Sequence, residues 1–113
     1  TMERWFTAPY LASKPSAVES IREQFLATPA AGFIGCCHAL KPLDYLDQLH
    51  TIDLPTMIIV GAEDTGTPVS ASEAMHGQIA NSQMVVLPQA AHLANVEQPE
   101  GFTKALMGFL NAQ

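Results

Sequence analysis

The chain has 113 residues, 48% of them hydrophobic and 14% charged, a balance that supports one modest core and excludes a disordered segment. Its formal net charge of −6, with no stretch that concentrates Lys or Arg, argues against nucleic acid or an anionic membrane surface as a partner. The longest apolar runs, such as TMIIV, fall far below the roughly 18 residues that span a bilayer, and TMERWF lacks the basic and apolar regions of an export signal, so a cytoplasmic protein is expected.

Thr1 precedes the first methionine, and the chain therefore reads as beginning partway through a longer one. The first stretch, ERWFTAPYLASKP, crowds Trp5, Phe6, Tyr10 and Leu11 between prolines, which predicts short helical turns rather than a rod. SAVESIREQFLA follows with Ser16 and Glu19 in capping-box spacing and Val18, Ile21 and Phe25 on one helical face. In TPAAGFIGCCHAL, Thr28 is the expected N-cap and Pro29 the first helical residue of a closely packed helix, Gly32 and Gly35 notwithstanding. Cys36 and Cys37 are adjacent, which strains any mutual disulfide, and they read as reduced thiols with the usual burial preference of free cysteine. Leu43, Leu46, Leu49 and Ile52 recur every third residue and predict a short helix before Pro55.

TMIIV, bounded by Pro55 and Gly61, predicts a parallel strand covered on both faces. SASEAMHGQIAN predicts a helix opened by a second capping box, Ser70 with Glu73, and stopped at Asn81; QMVVLP predicts a second strand. Together they make one βαβ unit. QPEGFTKALMGFL closes the chain as an amphipathic helix, with Pro99 in its first turn and Phe102, Ala105, Leu106, Phe109 and Leu110 on one stripe. Two strands buried on both faces need further strands beside them, so the sequence describes a partial α/β fold.

Ligands of doubly wound sheets gather beyond the carboxyl ends of the strands. GAEDTGTP puts Glu63 and Asp64 in the loop leaving the first strand, and PQAAH puts His92 in the loop leaving the second. If the strands are parallel neighbours, an acid and a histidine can meet there. A carboxylate so placed fixes the tautomer of the imidazole and steadies the imidazolium that forms when it takes a proton. Read singly, His92 is an ordinary loop histidine and Asp64 a turn residue; their joint placement favours the pair. Zinc is a poor rival, because His38, His50, His76 and His92 lie in separate elements and neither C-x-x-C nor H-E-x-x-H occurs. No metal or cofactor is expected.

PTMIIVGAEDTGTP, with its strand, G-x-x-D and following proline, and LPQAAHLANVEQPEGFTKALMGFL, with its histidine ahead of an amphipathic helix, resemble the C-terminal part of the α/β-hydrolase family. RWFTAPYL, FLATPAAGFIGCCHAL and AAHLANVEQPE are similar, more narrowly, to its 3-oxoadipate enol-lactonase group. The resemblance implies part of a helical cap over residues 1–28 and, over 29–113, the C-terminal portion of the core, with a strand-helix-strand-helix of a mainly parallel sheet. It makes Asp64 the catalytic acid, ahead of its neighbour Glu63, and His92 the general base. Trp5, Phe6, Phe25 and Phe33 would sit in the cap, with Trp5, Arg4 and Arg22 the first residues to test against a carboxylate-bearing lactone substrate.

The family's nucleophile sits on a G-x-S-x-G elbow, and Ser13, Ser16, Ser20, Ser70, Ser72 and Ser82 are all outside such a setting. The resemblance therefore implies that the serine belongs to an N-terminal portion of the same fold, in the same gene product or a separate chain, and that this chain alone is inactive. Asn95 and Glu97 read as ordinary helix-start residues, or alternatively as residues that brace the histidine loop and cap the closing helix. Another α/β-hydrolase activity, an esterase or acyl-homoserine lactonase, fits the same motifs; a partner-binding half-domain with an exposed sheet edge is the non-enzymatic alternative.

Overall fold

A computed structural model describes residues 1–13 and 15–112. The elements run α1 (Met2–Trp5), α2 (Ala8–Ala12), α3 (Ser16–Ala27), α4 (Ala30–Leu40), a 3-10 turn (Leu46–Thr51), β1 (Thr56–Gly61), α5 (Val69–Gln78), β2 (Ser82–Leu87), α6 (Ala94–Glu97) and α7 (Pro99–Asn111). The opening segment forms the short turns α1 and α2, as the sequence predicts, with Pro9 in the first turn of α2 and Pro15 at the start of α3.

β1 and β2 pair in parallel, from Thr56 opposite Ser82 to Gly61 opposite Leu87. α5 is the crossover and packs on both strands, while α6 and α7 follow the second. The ladder does not stop with the strands. Ala62 N–H donates to Leu87 O and Glu63 N–H to Ala90 O, both at 2.9 Å, so the two exit loops are stitched together. Gly61 makes this possible: a Cβ there would overlap the carbonyl oxygens of Ala90 and Ala91.

The core lies under these loops. Leu87, Ala90 and Ala94 form its buried cluster, with Ile59, Val85 and Phe102 packed against it. The rest of the sheet is thinly covered. Most of β1 is half-buried and Val86 is exposed, where continuous burial is expected of TMIIV and QMVVL. On α7, Phe102, Ala105 and Phe109 turn inward, but Leu106 and Leu110 of the same predicted stripe are exposed.

Three helix starts differ from expectation for one reason. Pro15, Pro29 and Pro68 occupy the N-cap positions of α3, α4 and α5 with extended ψ values of 144°, 131° and 161°, and none of these caps is a side chain. Proline fixes φ at a value shared by the extended segment and the helix, so each helix begins one residue after it. Ser16 and Ser70 thus lie inside helices and cannot close capping boxes; Glu19 pairs with Arg22 instead, at 3.2 Å. Thr28 belongs to the end of α3, where its hydroxyl donates to Gln24 O. α5 ends at Gln78 rather than at Asn81, whose carbonyl accepts from Thr56 at the foot of β1. Cys36 and Cys37 are free thiols, and both are exposed.

Candidate active site

The site is built by the two loops that Gly61 allows to approach. Asp64 leaves the end of β1 pointing inward and is 7% exposed, whereas its neighbour Glu63 is exposed. Loop GAEDTGTP folds back on the carboxylate. Oδ1 accepts the backbone N–H groups of Gly66 and Thr67, both at 2.9 Å, in the manner of an Asx turn. Oδ2 accepts the Thr67 hydroxyl at 2.8 Å and lies 2.8 Å from His92 Nδ1.

Each carboxylate oxygen therefore has two donors. Burial pushes the Asp64 carboxyl up, but the Thr67 N–H, His92, the Thr67 hydroxyl and the Gly66 N–H together outweigh it and hold the group below its ordinary value. An ionised carboxylate can only accept, so the proton of the imidazole belongs on Nδ1 and Nε2 keeps its lone pair. Thr67 Oγ1 also lies 3.2 Å from His92 Nδ1; with its own proton given to Asp64, it can share the ring N–H as a second acceptor.

The pair is asymmetric in exposure: the Asp64 side chain is 4% exposed and that of His92 is 40% exposed. The carboxylate is sealed beneath and the imidazole is partly open to solvent, an arrangement compatible with general-base chemistry. The histidine loop is shaped by Gln89, whose φ of 54° turns the chain in a left-handed conformation, and by Gln98, whose side-chain amide donates to Gln89 O at 3.2 Å.

Arg4 and Trp5 line a cavity of about 220 Å³ together with Gly66, Thr67 and His92. A larger cavity of about 400 Å³ reaches Asp64 and His92 from the β1 side, walled by Ile58, Val60 and Met75 among others. Arg22 is not among the residues lining either; it is exposed on α3 in its ion pair with Glu19. Trp5 meets Phe25 edge to face at 5.5 Å, and Phe25 meets Phe33 in the same way at 5.9 Å, so these three aromatic rings form a continuous line, while Phe6 stacks on Tyr10.

Sequence reasoning missed Thr67 as a partner of both members of the pair; the signal was its position three residues after Asp64, where a turn returns the chain to the carboxylate. It also placed Glu97 only in part. Glu97 does brace the histidine loop, through Ala91 N–H, but it is buried and reaches Thr7 rather than capping α7.

No family model matches the chain. It is 36% identical over 103 residues to 3-oxoadipate enol-lactonase 2 of Acinetobacter baylyi, covering 91% of this chain and 38% of that protein. Enol-lactonase 1 of the same organism is 33% identical over 112 residues, covering 99% and 42%. The chain thus spans about two-fifths of the length of the curated relatives it matches. Among solved structures, a hydrolase from Pseudomonas aeruginosa PA01 superposes with a TM-score of 0.91 at 38% identity, over 96% of this chain and 41% of that one. The enol-lactonase from Burkholderia xenovorans LB400 does so with 0.93 at 30% identity, over 97% and 42%. A thermophilic esterase from Thermogutta terrifontis gives 0.90 at 32%, over 99% and 42%. By sequence and by structure, the chain is the C-terminal part of an α/β-hydrolase fold and resembles the 3-oxoadipate enol-lactonases.

Proposed function

We propose that this chain carries the acid and base of a Ser-His-Asp hydrolase whose substrate is 3-oxoadipate enol-lactone. The observation that carries the reading is the buried, four-donor Asp64 carboxylate set 2.8 Å from an imidazole that is 40% exposed. The nucleophilic serine comes from an N-terminal portion of the fold, supplied by the same gene product or by a second chain. Residues 1–28 are assigned to the helical cap and 29–113 to the core. The 400 Å³ cavity beside β1 is the side on which the serine arrives.

His92 Nε2 takes the serine proton as its oxygen attacks the lactone carbonyl, and Asp64 stabilises the imidazolium. Backbone N–H groups beside the serine hold the tetrahedral charge. Collapse breaks the ring C–O bond and expels an enolate, which takes the proton held by the His92 imidazolium and becomes a ketone, leaving His92 neutral. Water, deprotonated by His92, then attacks the acyl-serine, and the imidazolium returns that proton to the serine oxygen as 3-oxoadipate leaves. These steps move only protons and an acyl group. Arg4, with Trp5, faces the substrate and offers its guanidinium to a carboxylate. The reaction belongs in the cytoplasm, in the β-ketoadipate route of aromatic catabolism, as the resemblance implies.

A broader reading, an ester hydrolase with another substrate, is favoured by the close superposition on the esterase. A panel of lactones and simple esters separates the two: highest kcat/KM on the enol-lactone supports the first, and preference for acyclic esters supports the second. A serine-directed fluorophosphonate should leave this polypeptide unlabelled on its own and label the N-terminal portion of the assembled enzyme. Labelling of a serine within residues 1–113 would contradict the assignment.

A further inference from the structure

The two residues flanking His92 are both tied to the beginning of the chain. Leu93 N–H donates directly to Trp5 O at 3.0 Å. Ala91 N–H donates to Glu97 Oε2 at 2.5 Å. Glu97 is only 8% exposed, and its other oxygen, Oε1, accepts the backbone N–H of Thr7 at 2.9 Å and the Thr7 hydroxyl at 2.7 Å. One buried carboxylate therefore collects three donors from two segments at opposite ends of the chain.

Burying such a group is costly unless its oxygens are fully partnered, and an apolar side chain would fill the space more cheaply. What the carboxylate adds is direction. Three donors converge on two oxygens of one rigid group, and this fixes the register of residues 5–7 against residues 91–93. That register concerns the site, because Arg4 and Trp5 share a cavity with His92.

We propose that Glu97 is a positioning residue: its carboxylate locks the histidine loop to the Arg4–Thr7 segment, so that the imidazole and the cavity wall opposite it are held as one body. The proposal rests on the hydrolase reading above. Glu97 is not among the residues lining the cavities that reach His92, and it acts through Ala91 and Thr7.

The test is steady-state kinetics of the assembled enzyme, normalised to sites titrated with a fluorophosphonate. Glu97→Gln replaces one acceptor oxygen with an amino group, and whichever way the amide turns, a donor then faces a donor. The expected result is a kcat per titrated site lower by about 10- to 100-fold, together with a raised KM, the scale on which misplaced catalytic groups act. Thr7→Val should move both parameters less and in the same direction, and Thr7→Ser should restore them. If Glu97→Gln does not fold, the Thr7 variants decide: unchanged kcat and KM in Thr7→Val overturn the proposal. A Glu97→Gln enzyme that melts earlier but turns over normally per site also overturns it.

Amide hydrogen exchange reads the same lock without activity, and so separates this proposal from the hydrolase reading. Protection of the Leu93 N–H, whose acceptor is Trp5 O rather than the Glu97 carboxylate, should fall in Glu97→Gln along with that of Ala91. Unchanged protection at Leu93 means that the two segments are not coupled through Glu97.

Discussion

The rim formed by residues 61–67 and 88–97 and the helical segment 16–40 are opposites in how they are held. In the rim, Asp64 and Glu97 are buried carboxyl groups with every oxygen partnered, and the described residues contain no buried side-chain N or O lacking a hydrogen bond. Helices α3 and α4 bury no side chain and leave Leu26, Ile34 and Leu40 exposed by 64%, 53% and 62%. A polar network needs a few groups in the right directions and can be completed within one short chain. Apolar faces need area, and these helices do not find it here. The contrast teaches that the carboxylate–imidazole geometry is completed within these loops, whereas the apolar faces of α3 and α4 are left uncovered.

The comparison breaks first if the rim does no chemistry. In the assembled enzyme, Asp64→Asn should lower kcat by about 10⁴-fold, because the amide favours the wrong tautomer, and His92→Ala should cost at least as much. Losses under tenfold in either variant would remove the pair from the reaction. Gly61→Ala should cost about 3 kcal/mol or more, read from the urea midpoint, since backbone carbonyls rather than flexible side chains occupy the space of the new Cβ. A midpoint close to wild type would show that the loops need no such approach.

Smaller effects sharpen the contrast. Thr67→Val removes one hydroxyl from Asp64 and His92 but leaves the backbone N–H bonds, so kcat should fall by about tenfold and Thr67→Ser should recover most of it. Smallest of all, Ile34→Gln and Leu40→Gln should change the stability of this chain alone by less than about 0.5 kcal/mol. In the assembled enzyme each should cost more if a partner surface covers it, up to about 1.5–3 kcal/mol for full burial. Equal effects in both settings would mean that these helices are simply exposed.

Much of this was legible in the sequence, for physical reasons. TMIIV and MVVL declare strands because β-branched runs bounded by Pro and Gly have few alternatives, and one helix between them implies parallel pairing. That placed Asp64 and His92 on one rim. The helix starts at Ser16, Thr28 and Ser70 differ from expectation because a proline within two residues of each takes the cap position, a competition that spacing patterns do not weigh. Long-range bonds left no local trace: nothing near Thr7 announces Glu97, 90 positions away. Exposure was the hardest property to read. Periodicity marks an apolar face such as Leu106 and Leu110 of α7 but does not say whether this chain covers it, and the same holds for Cys36 and Cys37.

The most direct measurement is the nitrogen–proton correlation spectrum of the His92 ring, recorded where the imidazole is neutral, in wild type and in Asp64→Asn. The proton should reside on Nδ1 in the wild type and move to Nε2 in the variant, whose amide can donate to Nδ1. A wild-type ring protonated on Nε2, or a tautomer indifferent to the substitution, would contradict the claim that Asp64 prepares His92 to accept a proton.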